Sequence, residues 1–173
     1  TFGHVSVFEK DGTFVRRFSV PSLAHVNSNI DVLQDSIVVV GGLVPEYKQG
    51  VLEQGTLVHM LNLKGEPITS YHPLSDRAKE FDAYQADGAQ VSVVDDVVFS
   101  VAGTDYQILT YAYEDSKLTN YAVAAPYYTP VQRPLDQDRI IAWFDSWDQP
   151  ARIAALSRDR VMVSVGQRTR EAG

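Results

Sequence analysis

The 173-residue sequence contains no cysteine. Disulfide bonds, thiolate metal sites and cysteine nucleophiles are therefore excluded, and the redox compartment is left open. No apolar run approaches the ~18 residues that a membrane-spanning helix needs, so we expect no membrane span. Basic residues are also scarce, with 15 Lys+Arg against 22 Asp+Glu and a net charge of -7. Because this balance repels a phosphate backbone and no basic stripe is present, we expect no nucleic-acid partner.

Helical periodicity is nearly absent, apart from a turn or two of helix predicted within residues 75–84. The rest of the chain is typical of short strands separated by turn residues. Residues 5–8 and 14–18 flank Asp11-Gly12, a dipeptide that supplies the positive φ angles of a tight hairpin. The sequence therefore predicts an all-β protein.

Two kinds of segment recur along the chain. The hairpin pattern of residues 5–18 returns in residues 57–71 and again in residues 108–122. Between the hairpins lie continuous apolar runs, at residues 37–40, 97–101 and 140–144. A continuous run predicts a strand buried on both faces, so we expect core positions at residues such as Val39 and Phe99. Two inner strands followed by an outer hairpin, repeated radially, is the design of a β-propeller.

Residues 5–18 and 57–71 resemble the outer hairpins of six-bladed β-propellers of the NHL-like and TolB-like kind. The resemblance implies one propeller region over residues 1–173, with blades of four antiparallel strands. Its expected parts are a hairpin at 4–20 and blades at about 30–74, 88–125 and 131–166, the last ending in an outer hairpin at 151–165. The alternative is a β-sandwich, which explains the strands but not their recurrence.

Three and a half blades do not close a ring, and open blade faces expose apolar surface. We therefore expect either the remaining part of a propeller in a longer protein, which is the favoured interpretation, or another copy of the chain that completes a homo-oligomer. The chain opens with Thr1 rather than Met, which suits a processed N-terminus or the interior of a longer protein. Propellers of the resembling kind are often exported, which implies a periplasmic or extracellular location; the alternative is cytoplasmic.

In a propeller, the ligand face is built by the loops that enter each first strand and by those that join the second and third strands. Clustered Tyr and Trp in such loops favour recognition, because they bury area at low entropic cost, although packing between blades also consumes aromatic residues. The candidate binding residues in these loops are His25, Asn27, Asn29, Tyr47, Tyr84, Asp87, Tyr106, Tyr127, Tyr128 and Trp147.

No catalytic residue or metal ligand can be assigned from a motif. Gly-x-Ser-x-Gly is absent, and Ser100 is predicted to fill space in a strand. His59 and His72 fall in or beside an outer hairpin, where we expect polar side chains that face solvent. The sequence therefore predicts no cofactor.

The favoured function is a non-enzymatic binding or scaffold propeller that contacts a protein or a small ligand through its loops. The alternative is a metal-dependent propeller hydrolase or lyase of the gluconolactonase type. That resemblance would imply Ca²⁺ or Zn²⁺ near His25, Asn27, Asn29 and Asp87, since amide and carboxylate oxygens suit a hard cation and imidazole suits zinc.

Overall fold

The computed structural model describes residues 4–20, 29–79, 89–102, 106–121 and 149–166. These residues form an all-β protein with a single four-residue helix, as the sequence predicts. The strands are β1 His4–Phe8, β2 Phe14–Ser19, β3 Ile30–Leu33, β4 Ile37–Lys48, β5 Val51–Asn62, β6 Pro67–Pro73, β7 Ala89–Val94, β8 Val97–Ala102, β9 Ile108–Ala112, β10 Lys117–Tyr121, β11 Gln149–Ser157 and β12 Arg160–Gly166.

The helix α1 spans Asp76–Lys79 and lies within the segment predicted to be helical, whose last residues, 80–84, are outside the described ranges. It is far shorter than a bilayer is thick. No helix in the described part of the chain is long and apolar enough to cross a membrane.

The strands form four antiparallel sheets in which neighbours in sequence are neighbours in space. Sheet I is the hairpin β1–β2, and sheet IV is the hairpin β11–β12. Sheet II has the order β3-β4-β5-β6, and sheet III has the order β7-β8-β9-β10. The repeating unit of four consecutive antiparallel strands is thus present twice. Of the predicted unit at 131–166, residues 131–148 lie outside the described ranges.

The sheets pack on one another in chain order, through three apolar interfaces. Sheet I contacts sheet II through Val5 and Phe18, which meet Val38 and Val40. Sheets II and III share the largest interface, which contains Val39. Sheets III and IV meet around Phe99 and Ile153 of β11. A strand such as β4 therefore buries both of its faces, which explains its unbroken β-branched run and confirms Val39 as a core residue.

The hairpins β1–β2 and β5–β6 each contain a glycine in the turn between their strands. Gly12 and Gly65 have φ angles of 89° and 84°, a region open to glycine because it lacks a Cβ atom. Gly65 also lies against the ring of Phe18, and a Cβ atom placed on Gly65 would come within 2.7 Å of it. The β5–β6 turn thus sets how closely sheet I approaches sheet II.

The position of sheet IV differs from the sequence-based expectation. Residues 151–165 were expected to form an outer hairpin, remote from the first strand of the preceding sheet. Instead β11 packs against β7, the first strand of sheet III, and the Ala155 N–H donates a hydrogen bond to Ser92 Oγ (3.0 Å). This contact joins residues 63 positions apart in the sequence, so the local pattern of residues 151–165 could not reveal it.

Candidate functional site

The loop end of sheets II and III is the end at which β3 and β7 begin. Three of the predicted binding residues lie there within the described ranges: Asn29, Tyr47 and Tyr106. The other seven fall outside the described residues; they are His25, Asn27, Tyr84, Asp87, Tyr127, Tyr128 and Trp147.

Asn29 joins the two sheets at the point where their first strands start. Its Nδ2 donates a hydrogen bond to Gln90 Oε1 (2.9 Å), and its backbone carbonyl accepts one from the Gly41 N–H (3.1 Å). The side chain is partly buried. Asn29 therefore holds β3, β4 and β7 in register at the loop end.

A two-stranded arm projects beyond the loop end of sheet II. Strand β3 pairs with β4 only over Ile37–Val40, whereas β4 continues to Lys48 and remains paired with β5. Residues 44–55, called the β-arm below, therefore extend past the other strands of the sheet. Tyr47 was expected to lie in a loop, and this expectation was wrong, because Tyr47 belongs to β4.

The β-arm forms because its tip is a two-residue turn. Gln49 and Gly50 both have positive φ angles, 52° and 81°, which suit the twist of a tight hairpin. Pro45, the residue that argues most strongly against a strand, lies opposite Gly55 in the two-stranded part, where one edge of β4 needs no partner. The arm can therefore contain Pro45, although proline has no backbone N–H to donate.

The tip of the β-arm presents apolar side chains among charged ones. Tyr47 is 52% exposed and Val51 is 64% exposed, whereas Leu52 is buried in the interface of sheets II and III. Lys48 Nζ lies 3.6 Å from Glu53 Oε1 across the arm. In the register, Tyr47 lies opposite Leu52 and Val51 lies opposite Lys48, so each face of the tip carries one exposed apolar side chain. Leu52 anchors the arm in the core.

Tyr106 lies at the loop end, just before β9. It is partly buried and packs against the apolar interface of sheets III and IV. Its φ of 48° places the backbone in the left-handed region just before β9. The side chain therefore contributes apolar contact next to the start of β9.

His59 and His72 are buried, which corrects the expectation that they face solvent. His59 Nε2 donates to the Gly42 carbonyl (2.9 Å), so its Nδ1 accepts from the Ser70 hydroxyl across the β5–β6 pair (2.8 Å). Burial lowers the pKa of His59 below its ordinary value of 6.5. The two strands that flank β5 thus each provide a partner for one ring nitrogen, which makes the buried imidazole tolerable.

His72 joins sheets II and III. Its Nδ1 lies 2.8 Å from Ser100 Oγ, and that hydroxyl donates onward to the Leu109 carbonyl (3.3 Å), so Nδ1–H is the donor to serine. Burial lowers the pKa of His72 to about 4, which keeps the ring neutral at pH 7. With its proton held by a carbonyl and its side chain buried, Ser100 fills a strand as predicted and is not placed for nucleophilic attack.

Tyr71 and Tyr111 form a second link between these sheets, one that the sequence did not single out. Their rings stack with centroids 4.7 Å apart and planes inclined by 17°. The Tyr71 hydroxyl is buried and has no hydrogen-bond partner in the described structure, and burial raises its pKa. The pair therefore contributes buried ring area to the interface of sheets II and III.

The described residues contain no group of three or more His, Cys, Asp or Glu side chains able to hold a metal ion. Of the four residues named for Ca²⁺ or Zn²⁺, only Asn29 is described, and its amide is bonded to Gln90. Comparison of the chain with protein families, with curated proteins and with solved structures gives no match.

Proposed function

We propose that this chain is a binding module built from β-propeller blades, and that it contacts a protein partner through its loop end. The observation that carries the proposal is the β-arm, with Tyr47 and Val51 exposed at a tip anchored by Leu52. A projecting arm suits the surface of a protein better than a small molecule, because small molecules bind in concave pockets.

The blade interpretation is supported by how sheets II and III meet. Their first strands lie side by side, and Asp31 Oδ2 of β3 accepts a hydrogen bond from the Val93 N–H of β7 (2.7 Å). The four-stranded sheets then follow one another face to face in chain order. Radial repetition of such sheets about their first strands is the propeller architecture.

Binding is favoured over catalysis by the state of the buried polar groups. His59 and His72 are neutral at pH 7 and are hydrogen-bonded inside the protein. Neither ring is placed as an exposed general base at the loop end. The described part of that end offers aromatic and aliphatic contact area instead.

Photo-crosslinking tests the binding role. The photoreactive residue p-benzoylphenylalanine is placed at Tyr47 and, as a matched control, at Lys64, an exposed position in the β5–β6 turn at the opposite end of the sheet. In extracts of the native source, we expect a product of defined mass from the Tyr47 position and none from Lys64. An excess of unlabelled wild-type chain should suppress that product.

A competitor that carries Tyr47→Ala and Val51→Ser should suppress the product at least tenfold less well, because two exposed contacts of the arm are removed. Equal products from both label positions, or equal competition by wild-type and variant chains, would contradict the proposal.

Added Ca²⁺ and Zn²⁺ separate the hydrolase alternative from the binding proposal. The proposal predicts that neither ion changes the thermal unfolding midpoint. A stabilisation that saturates at one ion per chain would favour the metal-dependent enzyme instead.

A further inference from the structure

Strands β3 and β7 run side by side in the same direction. Asn29 Nδ2, just before β3, donates a hydrogen bond to Gln90 Oε1 in β7 (2.9 Å). Further along both strands, the Val93 N–H donates to Asp31 Oδ2 (2.7 Å). Both strands advance from the first contact to the second, so they are parallel and begin at the same end, the loop end.

Strand β11 lies beside β7 in the same manner. The Ala155 N–H of β11 donates a hydrogen bond to Ser92 Oγ of β7 (3.0 Å). In the turns that follow the two strands, Arg158 Nη2 lies 2.7 Å from Asp96 Oδ1. Strand β11 is therefore parallel to β7, and it also begins at the loop end.

The register places Arg152 beside Gln90. In each pair of strands, a backbone N–H of the later strand donates to a side-chain oxygen of the earlier one. Between β3 and β7, the residue two positions before the acceptor is Asn29, and the residue three positions before the donor is Gln90. Between β7 and β11, the same steps lead to Gln90 and Arg152. Because Asn29 and Gln90 are hydrogen-bonded, the longer side chain of Arg152 lies within reach of Gln90.

Gln90 and Arg152 project from equivalent faces of their strands. Val91 is buried in the interface with sheet II, so its neighbour Gln90 points to the other side of β7. Ile153 is buried in the interface with sheet III, so Arg152 points to the other side of β11, where its side chain is exposed. The register and the faces therefore agree that Asn29, Gln90 and Arg152 form one row across the three strands.

The row contains two hydrogen-bond donor groups that have no acceptor in the described part of the chain. Gln90 Oε1 accepts from Asn29, which leaves the Gln90 Nε2 amino group without an acceptor among those residues. Arg152 forms no ion pair or hydrogen bond with any described residue, whereas Arg158 pairs with Asp96. An amide amino group and a guanidinium group can only donate, so a negatively charged acceptor complements both.

We propose that Gln90 and Arg152 form a binding site for a carboxylate group at the loop end. A guanidinium group donates two parallel N–H···O bonds to a carboxylate, and the Gln90 amino group supplies a third donor. Asn29 fixes the site, because its bond to Gln90 Oε1 holds the amide in one orientation. This site is separate from the β-arm and does not depend on the role proposed for it.

The charge of the row suits a carboxylate better than a phosphate. Asp31 lies two residues from Asn29 on the same face of β3, and its carboxylate adds a negative charge beside the row. A carboxylate brings one negative charge, whereas a phosphate monoester brings about 1.5 to 2 at pH 7. Because Arg152 is the one cation of the row, the singly charged group is favoured.

Nuclear magnetic resonance of the isotope-labelled full chain tests the site, with sodium acetate as the probe and sodium chloride to hold the ionic strength constant. We expect the Arg152 Nε–H and Gln90 Nε2–H signals to shift together and to saturate with one dissociation constant. Arg160, exposed at the start of β12 and at the opposite end of the hairpin, is the internal control and should not shift. Sodium phosphate should bind more weakly than acetate.

Three variants identify the donors. Gln90→Glu keeps an oxygen that accepts from Asn29 but exchanges the amino group for a charged oxygen, so acetate binding should weaken about tenfold or more. Arg152→Gln should abolish the saturable shift at Gln90. Arg160→Gln makes the same charge change elsewhere in sheet IV and should bind acetate as the wild type does. The thermal unfolding midpoint of each variant verifies that the chain is folded.

Four results would each overturn the inference. They are shifts produced equally by sodium chloride, equal shifts at Arg152 and Arg160, tighter binding of phosphate than of acetate, and acetate binding that Gln90→Glu leaves unchanged.

The crosslinking experiment at Tyr47 distinguishes two sources of the carboxylate, once acetate binding is established. If an acidic residue of the protein partner supplies it, a competitor chain that carries Arg152→Gln should suppress the crosslinked product about tenfold less well than the wild type. If a small molecule supplies it, the two chains should compete equally. Absence of any crosslinked product would contradict the β-arm proposal, whereas the acetate titration decides the carboxylate site by itself.

Discussion

Acidification should destabilise the protein through His72. This imidazole is 1% exposed, its Nδ1–H donates to Ser100, and burial lowers its pKa to about 4 from an ordinary value of 6.5. The unfolded chain binds a proton near pH 6.5, but the folded protein does not bind it until about pH 4. Above pH 6.5, the titration of His72 therefore does not lower the free energy of unfolding. The free energy of unfolding decreases as the pH falls from 6.5 towards 4, and below pH 4 His72 causes no further change.

The magnitude follows from the difference between the two pKa values. At 1.36 kcal/mol per unit, His72 contributes a loss of about 3 kcal/mol between pH 6.5 and pH 4. His59, whose pKa is also lowered by burial, adds a loss of the same sign. Such a loss is a large fraction of the ~5–15 kcal/mol that stabilises a typical protein.

The assay is urea unfolding at a series of pH values between 7 and 4. His72→Asn removes the titrating ring, and asparagine tolerates the positive φ of 64° at this position. The quantity measured is the slope of unfolding free energy against pH, so a constant cost of the substitution does not enter. Wild type and the control His4→Gln, at an exposed position in β1, should share a steep slope, and His72→Asn should be flatter. Equal slopes for wild type and His72→Asn would refute the reasoning.

Three substitutions test the packing of the sheets. Phe99→Ala should cost about 3–5 kcal/mol in urea unfolding, because Phe99 is buried between sheets III and IV, and a loss below about 1 kcal/mol would place it on the surface. Gly41→Ala should abolish the native circular dichroism and cooperative melt, because its Cβ atom would lie 1.8 Å from the Ala89 carbonyl oxygen; a native melt would contradict that contact. Tyr71→Phe should leave stability unchanged or raise it, because the buried hydroxyl lacks a partner among the described residues, and a loss of several kcal/mol in the same assay would show that a bond had been removed.

Local signals in the sequence were sufficient for the strands and their turns. Asp11-Gly12 and Lys64-Gly65 mark hairpins because a positive φ is a property of the turn itself. Likewise, the unbroken apolar run of β4 indicates that both faces of the strand are buried, whichever sheets cover them. These features depend on a few consecutive residues, so they could be predicted.

Features that depend on distant neighbours could not be predicted. Residues 151–165 form a hairpin as expected, but the contact of β11 with β7, the first strand of sheet III, could not be predicted. His59 and His72 alternate with apolar residues as solvent-facing groups would, and their burial depends on Gly42 and Ser100 as partners. For the candidate site, the sequence identified Tyr47 as a binding candidate, but it did not predict that the segment around Tyr47 forms two paired strands.

The central claim is that the four-stranded sheets fan out as blades from their first strands. Pulsed electron paramagnetic resonance between spin labels tests it directly in this cysteine-free chain. One pair of labels, at Ser36 and Asp95, marks the first turns of sheets II and III; the other, at Lys64 and Asp115, marks their outer turns. A fan predicts a clearly longer distance for the outer pair than for the inner pair. Equal distances, as in sheets stacked in a β-sandwich, would contradict the account.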